Sequence, residues 1–461
     1  MRIPEANELT SEKRTMNRRE FMRIAGVVAA GTTAAREYAL GSGLLSRTLL
    51  SAGKPNILFI LADDYGTNEV GCYGADNYKT PNIDQLAQGG IRFTHAYTPS
   101  LCGPSRATIL TGRYGFRTGA SNQASTGRMS PSVETMIPTV LKHAGYVTSS
   151  IGKWGQLPLG PGDFGFDDYL RYRGSGIYWN TQANGRTYVV NGETKELHDK
   201  EYMPDLMHKH LVDFITKHKD KPFYVYYSLS HIHGEILPTP DSVSGKSDDY
   251  TDNIVYMDKL VGKLTAELDR LGIREKTLIV FFGDNGTVGG RSQRATIGGK
   301  TISGSKGSML EGGSLVPLLA NWPKTTPAGK VSDHMVDSTD FLPTFAELAG
   351  AQLPAGKIID GRSFAHTLRG EKGESREWVF IQLGSKWYVR DAGWKLTQSG
   401  ELYDMSESPF TEKSVPKDSK DSAAVEARTR LQAALDRLNP AGGIPDDGGG
   451  KKRPAKRKRR K

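Results

Sequence analysis

Three stretches of the chain are almost entirely apolar and end in polar residues. They span residues 55–62, 222–229 and 277–282. Uninterrupted apolar strands are typical of a parallel sheet whose two faces are covered by helices. Residues 133–144 and 253–271 have the apolar spacing of such helices. The pattern predicts an α/β fold in which residues 54–365 form a large domain, with a mostly parallel mixed sheet and helices on both faces.

The pattern changes after residue 365. Short stretches suited to strands lie at residues 378–383, 386–390 and 394–397, and a helical pattern follows at 422–438. This order predicts a small C-terminal α+β domain, residues 366–440, in which a helix packs on an antiparallel sheet. Within the large domain, residues 174–200 are predicted to be an inserted loop, with a hairpin on Asn191-Gly192.

Most of the net positive charge lies at the ends of the chain. The 461 residues carry a formal charge of +10, and nine Lys or Arg fall within residues 451–461. The body between the ends is therefore nearly neutral, so the overall charge does not indicate a nucleic-acid-binding domain. Gly and Pro are dense from residue 441, which predicts a flexible linker and a basic tail at 441–461. That tail is expected either to contact anionic polymers or to be merely solvated.

The first 35 residues have the order of an export signal. Arg18-Arg19 precede a short, weakly apolar run and then small residues. This order predicts a twin-arginine-type signal over residues 1–35 and a periplasmic or extracellular protein that uses the twin-arginine export machinery. The alternative is a surface helix with a basic first turn. No apolar run approaches the roughly 20 residues of a spanning helix, so an integral membrane protein is excluded.

Oxygen-bearing side chains follow two of the predicted strands. Asp63 and Asp64 come after the first strand, and Asp284 and Asn285 come after the strand at 277–282. Ligands in open α/β sheets gather beyond the carboxyl ends of the strands. Carboxylate and amide oxygens suit hard cations such as Ca²⁺ or Mg²⁺. The alternative is that each pair only caps a turn.

Cys102 opens the segment with the most chemical information. Two cysteines in the chain cannot build a disulfide framework. Pro104 suits a first helical turn, which places Cys102 at a helix N-terminus, where free N–H groups favour anions. The alternative is an ordinary reactive or structural cysteine. The run from Cys102 to Arg106, followed by Thr111-Gly112-Arg113, resembles the signature of formylglycine-dependent sulfatases of the alkaline-phosphatase-like superfamily.

The resemblance implies a cofactor set and a reaction. Cys102 would be oxidised to formylglycine by a formylglycine-generating or sulfatase-maturing enzyme. The modified residue would complete a Ca²⁺ site, with Mg²⁺ as the alternative, whose other ligands are Asp63, Asp64, Asp284 and Asn285. A gem-diol at position 102 would then attack the sulfur of a sulfate ester.

Five residues have further expected roles: those of Arg106 and Asp284 follow from charge, and those of the other three follow from the resemblance. Arg106 would help to ionise the nucleophile, with Asp284 as the base. Lys153 would bind the sulfate oxygens together with Lys306 and His233, and either Lys306 or His233 would protonate the leaving alcohol.

One position departs from the family pattern. Sulfatases usually have His after Gly-Lys-Trp, and that His helps to remove the second proton of the diol. This chain has Gly155 there, followed by Gln156. We expect another base, either water or His231, to substitute for it, and we otherwise place His231 behind the site.

The preferred function is hydrolysis of a sulfate ester by an exported enzyme, on a sugar or polysaccharide. The sugar preference depends on export, on Tyr178, Trp179 and Tyr188 of the inserted loop, and on the family resemblance. One alternative is a phosphonate or phosphodiester hydrolase of the same superfamily. The other is a non-catalytic binder of sulfated polymers, suggested by Gly155 and the basic tail. No nucleic-acid partner is expected.

Overall fold

A ten-stranded sheet lies at the centre of the computed structural model, which describes residues 53–245 and 248–442. The predicted export signal at 1–35 and the basic residues at 451–461 lie outside the described residues. The strands up to residue 337 are, in chain order, β1 (Asn56–Ala62), β2 (Ile91–Phe93), β3 (Ala96–Tyr97), β4 (Val147–Gly152), β5 (Asp168–Tyr172), β6 (Thr187–Val190), β7 (Glu193–Glu196), β8 (Phe223–Ser228), β9 (Thr277–Gly283), β10 (Thr296–Ile297), β11 (Lys300–Thr301), β12 (Leu318–Asn321), β13 (Lys330–Ser332) and β14 (Val336–Asp337).

The large sheet has the order β13-β2-β12-β9-β1-β8-β4-β5-β6-β7. Its centre is parallel, because β1 pairs in parallel with both β8 and β9, and β4 pairs in parallel with β8 and β5. Antiparallel pairs occur towards the edges, where β12 joins β9 to β2 and where β6 lies between β5 and β7. The predicted mostly parallel, mixed sheet is confirmed.

The sheet separates two apolar clusters. Alternate residues of β1 point to opposite faces, with Phe59 in one cluster and Ile60 in the other. Helices cover both faces, as predicted. The described α-helices are α1 (Pro81–Gln88), α2 (Cys102–Thr111), α3 (Gly115–Thr118), α4 (Gln123–Thr126), α5 (Ile137–His143), α6 (Met203–His218), α7 (Asp249–Arg270), α8 (Gly289–Ser292), α9 (Glu311–Ser314), α10 (Phe341–Ala349), α11 (Ala365–Leu368) and α12 (Ser422–Leu438).

Each cluster draws on a different set of helices. The Phe59 face is packed by apolar residues of α2, α5 and α10, whereas the Ile60 face is packed by those of α1, α6 and α7. Among the described residues, every helix is too short or too polar to traverse a lipid bilayer.

The C-terminal part forms its own antiparallel sheet of five strands in sequential order within the described residues. The strands are β15 (Val379–Leu383), β16 (Lys386–Arg390), β17 (Trp394–Thr397), β18 (Leu402–Asp404) and β19 (Lys413–Val415). Apolar residues of α12, such as Leu431, pack against Val389 and Leu396 of this sheet. The predicted C-terminal sheet and helix are therefore confirmed. The hairpin predicted on Asn191-Gly192 is the turn between β6 and β7.

The parallel register brings the ends of β1, β8 and β9 to one edge of the large sheet. Ala62 lies beside Gly283, and Leu61 lies beside Ser228. The residues that follow these three strands therefore meet at this edge.

Candidate functional site

Three carboxylates converge where β1 and β9 end. One oxygen each from Asp63, Asp64 and Asp284 lies within 4.8 Å of the other two. The Asp64 N–H donates to Asp284 Oδ1 at 3.0 Å, and Asn285 Nδ2 donates to Asp64 Oδ1 at 2.9 Å. Asp64 adopts the left-handed backbone region with φ of 57°, which turns the chain sharply after the strand. The predicted pairing of the two strand ends is therefore present in the structure.

Two oxygens of this group are buried without a donor. Asp63 Oδ1 and Asn285 Oδ1 have no hydrogen-bond partner in the described part of the chain. A buried acceptor without a partner costs about 1–3 kcal/mol, so such atoms call for a ligand. The donors are all oxygens, which fits a hard divalent cation better than a thiophilic one. The residues present therefore fit the cation that the sequence predicts.

Cys102 is the first residue of the buried helix Cys102–Thr111, as the sequence predicts. Burial raises the pKa of the Cys102 thiol. Its Sγ atom, an oxygen of Asp63 and a ring nitrogen of His233 all lie within 4.8 Å of one another. The Cys102 side chain therefore lies beside the carboxylate group, where the sequence places the nucleophile.

Arg106 lies one turn further along this helix and is wholly buried. Its guanidinium pairs with Asp284 Oδ2 at 2.7 Å and lies 3.8 Å from Asp63 Oδ1. It also donates to the Lys153 carbonyl at 3.0 Å and to the Ser228 hydroxyl. These contacts fix Arg106 between its helix and the ends of β4, β8 and β9, beside the end of β1.

The three remaining cationic candidates surround the carboxylates. Buried Lys153 places Nζ 2.5 Å from Asp63 Oδ2. Lys306 Nζ lies 2.5 Å from Asp64 Oδ1, and His233 Nε2 lies 3.7 Å from Asp64 Oδ2. The side chains of Lys306 and His233 are 17% and 20% exposed, whereas Lys153 and Asp63 are fully buried. Lys306 and His233 therefore form the solvent-facing rim of the site.

Coupled charges shift the pKa values of the carboxyl groups. Burial raises the pKa of Asp284, with the neighbouring charge of Asp63 as a further cause. Burial also works to raise the pKa of Asp63, but the neighbouring positive charge of Lys153 is the largest opposing cause, and that pKa is lowered. Burial lowers the pKa of His233, so its imidazole favours the neutral form.

Gly155 lies against the same helix. It has φ of +72°, and a Cβ atom built there would lie 3.2 Å from Cδ of Arg106. A larger side chain at this position would strain the backbone and press on the Arg106 side chain. The backbone at position 155 thus adopts a conformation that favours glycine over the histidine usual in the family.

His231 does not occupy the vacant role. Its ring lies among Tyr178, Tyr202 and Tyr256, with centroids 6.1 to 6.3 Å away. Neither ring nitrogen has a hydrogen-bond partner among the described residues, and burial lowers its pKa to about 3. The structure therefore does not support the expectation that His231 supplies a base near Cys102. Its place in an aromatic cluster indicates a packing role.

Sequence reasoning missed two side chains next to Cys102. Gln123 Nε2 lies 3.1 Å from Sγ, while its Oε1 accepts from the Gly103 N–H at 2.7 Å. Gln156 Oε1 lies 3.6 Å from the same sulfur. Gln156 follows the departing position in the motif, which was a usable signal. Gln123 carries no such signal, because only the packing of α4 on α2 brings it close.

Comparison with known proteins agrees with this geometry. The model of the family described as "Sulfatase" matches residues 55–351, and the model of "N-sulphoglucosamine sulphohydrolase, C-terminal" matches residues 305–439. Human arylsulfatase D is 32% identical over 448 residues, covering 75% of this chain and 75% of its own length. Human arylsulfatase A is 34% identical over 371 residues, covering 73% of this chain and 72% of its own.

A solved structure is also similar. The crystal structure of Ps i-CgsB superposes with a TM-score of 0.72 at 29% identity, covering 85% of this chain and 94% of that one. The matched family model spans more than half of the chain and includes Cys102, the four oxygen-bearing residues after β1 and β9, and the rim residues. The chain therefore belongs to the formylglycine-dependent sulfatase family of the alkaline-phosphatase-like superfamily and is a sulfuric ester hydrolase.

Proposed function

We propose that this enzyme hydrolyses sulfate esters of sugars with a formylglycine derived from Cys102 and a bound Ca²⁺ ion. The observation that carries the proposal is the meeting of the Cys102 side chain with Asp63 and His233, beside the Asp63, Asp64 and Asp284 carboxylates. The relatives named above are sulfatases, which favours sulfate esters over the phosphonate or phosphodiester alternative. Intact carboxylates and a buried nucleophile position argue against a mere binder of sulfated polymers.

A count of charges supports a divalent ion and an anionic substrate. Three carboxylates, from Asp63, Asp64 and Asp284, face three cations, from Arg106, Lys153 and Lys306. These charges balance, so a divalent cation would leave the site with two positive charges. A sulfate monoester carries one negative charge and would offset half of them, so the site favours an anionic substrate. Asp63, Asp64, Asp284 and Asn285 would hold the ion together with residue 102.

The modified residue 102 would supply a hydroxyl nucleophile, and the cation would favour its ionisation and neutralise charge on the sulfate. The protein's own groups then orient and move protons. Asp284, whose Oδ2 is held by Arg106 at 2.7 Å, accepts the proton that the nucleophile loses. Buried Lys153 and Arg106 hold positive charge beside the reacting sulfate without having to reorganise.

The proton that the leaving alcohol needs comes from the rim of the site. The departing oxygen must face solvent, where Lys306 and His233 are exposed. Lys306 donates to it as the general acid. Burial lowers the pKa of His233, which favours the neutral imidazole that a base requires, and a ring nitrogen lies within 4.8 Å of Cys102 Sγ. We therefore assign to His233 the removal of the second proton, in place of the histidine that Gly155 replaces.

The experiment combines the mass of the peptide that contains residue 102 with activity assays on two esters. Protein co-expressed with a maturing enzyme is assayed on 4-nitrophenyl sulfate and 4-nitrophenyl phosphate, and the peptide containing residue 102 is weighed. We expect the mass of an aldehyde, preferential hydrolysis of the sulfate, and no activity in Cys102→Ala. Full activity with an unmodified thiol, or a preference for the phosphate, would refute the proposal.

Sugar specificity and export are parts of the same proposal. Ps i-CgsB was crystallised with k-i-k-neocarrahexaose, an oligosaccharide, which supports a sulfated sugar as substrate class. Tyr178 is buried, so it cannot contact a substrate as the sequence suggested, whereas Trp179 is half-buried. Export through the twin-arginine machinery predicts that replacing Arg18 and Arg19 by Lys retains the protein in the cytoplasm, which fractionation would show.

A further inference from the structure

Lys306 lies in a segment, residues 302–310, that forms neither helix nor strand. Such a segment has no ladder of hydrogen bonds of its own to hold a side chain in place. This segment and the residues just after it are hydrogen-bonded to the loop that follows β9. The Lys306 N–H donates to the Thr287 carbonyl at 2.9 Å, and the Gly286 N–H donates to the Gly313 carbonyl at 3.1 Å.

The same stretch is also tied to the C-terminal sheet by three charged residues. Arg390 of β16 pairs with Glu311 at 2.6 Å, and both side chains are fully buried. Lys395 of β17 donates to the Met309 carbonyl at 2.6 Å and pairs with Glu412 at 2.5 Å. Glu412 Oε1 accepts from the Glu311 N–H at 2.9 Å. We call Arg390, Lys395 and Glu412, with Glu311, the loop clamp.

The contacts of the loop clamp are directional. Glu311 also accepts from the hydroxyls of Tyr97 at 3.0 Å and Ser408 at 2.8 Å. Buried ion pairs of this kind contribute little net stability compared with well-packed apolar residues of the same volume. Their hydrogen bonds do hold a backbone in one place, and here that backbone begins three residues after Lys306. The loop clamp is thus better suited to fixing the backbone after Lys306 than to stabilising the folded protein.

We propose that the loop clamp positions the Lys306 ammonium for the leaving group, so that Lys395 and Arg390 of the C-terminal sheet are positioning residues for hydrolysis. This inference rests on the proposed function of Lys306 as the proton donor. A mispositioned donor matters most when the leaving oxygen needs its proton, because a good leaving group departs without one. The effect of losing the clamp therefore depends on the leaving group, whereas simple destabilisation does not.

The test compares phenyl sulfate, which has a poor leaving group, with 4-nitrophenyl sulfate, which has a good one. Lys395→Met is expected to lose roughly 10²-fold in kcat/KM on phenyl sulfate, the scale of a displacement of about 1 Å. On 4-nitrophenyl sulfate the loss should be below about tenfold. Lys306→Met should show the same contrast, and the double variant should lose no more than Lys306→Met alone.

A second readout does not depend on turnover. Lys306 would bind sulfate, so Lys395→Met and Lys306→Met should weaken the calorimetric affinity for inorganic sulfate in the same direction. Glu412→Gln keeps an acceptor for the Glu311 N–H while removing the charge that pairs with Lys395. It serves as the milder variant if Lys395→Met does not fold, and it should show the same contrast between the two esters at smaller amplitude.

The matched control is Arg117→Met, which removes another buried ion pair, with Asp360 at 2.8 Å, outside the loop clamp. It should leave the ratio of the two esters unchanged. Equal losses on both esters in Lys395→Met, or losses that add in the double variant, would overturn the inference. If wild-type protein hydrolyses neither ester, the proposed function itself fails, and that result is distinct from failure of the clamp.

Discussion

Replacing Asp63 by Asn tests the metal site most directly. Asp63 is fully buried, its Oδ2 pairs with Lys153 at 2.5 Å, and its Oδ1 has no hydrogen-bond partner among the described residues. Asn keeps the shape but removes one of the three carboxylates. In chelated protein, the loss of this partner leaves Lys153 less compensated, which costs on the order of 3 kcal/mol.

The informative quantity is the stabilisation that the metal adds. At a free Ca²⁺ concentration of about 100 times Kd, binding stabilises the wild-type protein by about 2.7 kcal/mol. The described part of the chain, about 390 residues, has an unfolding entropy of roughly 0.8 kcal/mol/K. The expected rise in Tm is therefore about 3 °C. If the variant binds about 100-fold more weakly, the same concentration adds only about 0.4 kcal/mol, or roughly 0.5 °C.

The assay is differential scanning calorimetry of chelated protein, with and without added Ca²⁺ or Mg²⁺. Asp213→Asn is the matched control, because that carboxylate is 62% exposed on α6 and its ion pair, with Lys209, lies on the surface of the same helix. Its metal-induced shift should equal that of the wild type. The reasoning is refuted if Asp63→Asn shows the full shift, or if neither ion shifts the wild-type Tm.

Three further predictions follow from the same structure. Gly155→Ala should lower the free energy of unfolding by about 1–2 kcal/mol and reduce kcat, because Gly155 has φ of +72° and faces Arg106. The control variant Gly127→Ala, at φ of −64°, should change neither the free energy of unfolding in urea nor kcat. Arg106→Met should lower the free energy of unfolding by about 3–5 kcal/mol, since Asp284 stays buried without its partner, and a variant as stable as wild type would contradict this. His231 has a folded pKa of about 3, below the ordinary 6.5, so the unfolded state binds the proton first and stability is lost as the pH falls below 6.5. His231→Phe should remove about 2 kcal/mol of that loss at pH 5 while retaining sulfatase activity, and an unchanged difference between urea midpoints at pH 7 and pH 5 would count against it.

Much of the site could be predicted from the sequence because its parts are local. Uninterrupted apolar runs report burial on both faces of a sheet, and the polar residues after each run must then lie at the strand ends. Asp63, Asp64, Asp284 and Asn285 were found in this way. The N-terminal position of Cys102 on its helix follows from Pro104 two residues later.

Tertiary packing determined side-chain positions and long-range contacts that the local sequence pattern does not predict. His231 and His233 are two residues apart and similar in sequence context, yet one ring is enclosed by tyrosines and the other lies near Cys102. Gln123 reaches the sulfur because α4 packs on α2, and the loop clamp joins residues about 80 to 100 positions apart. Such contacts depend on how separate elements fit together in space, and burial and hydrogen bonding between distant segments leave no periodic trace along the chain.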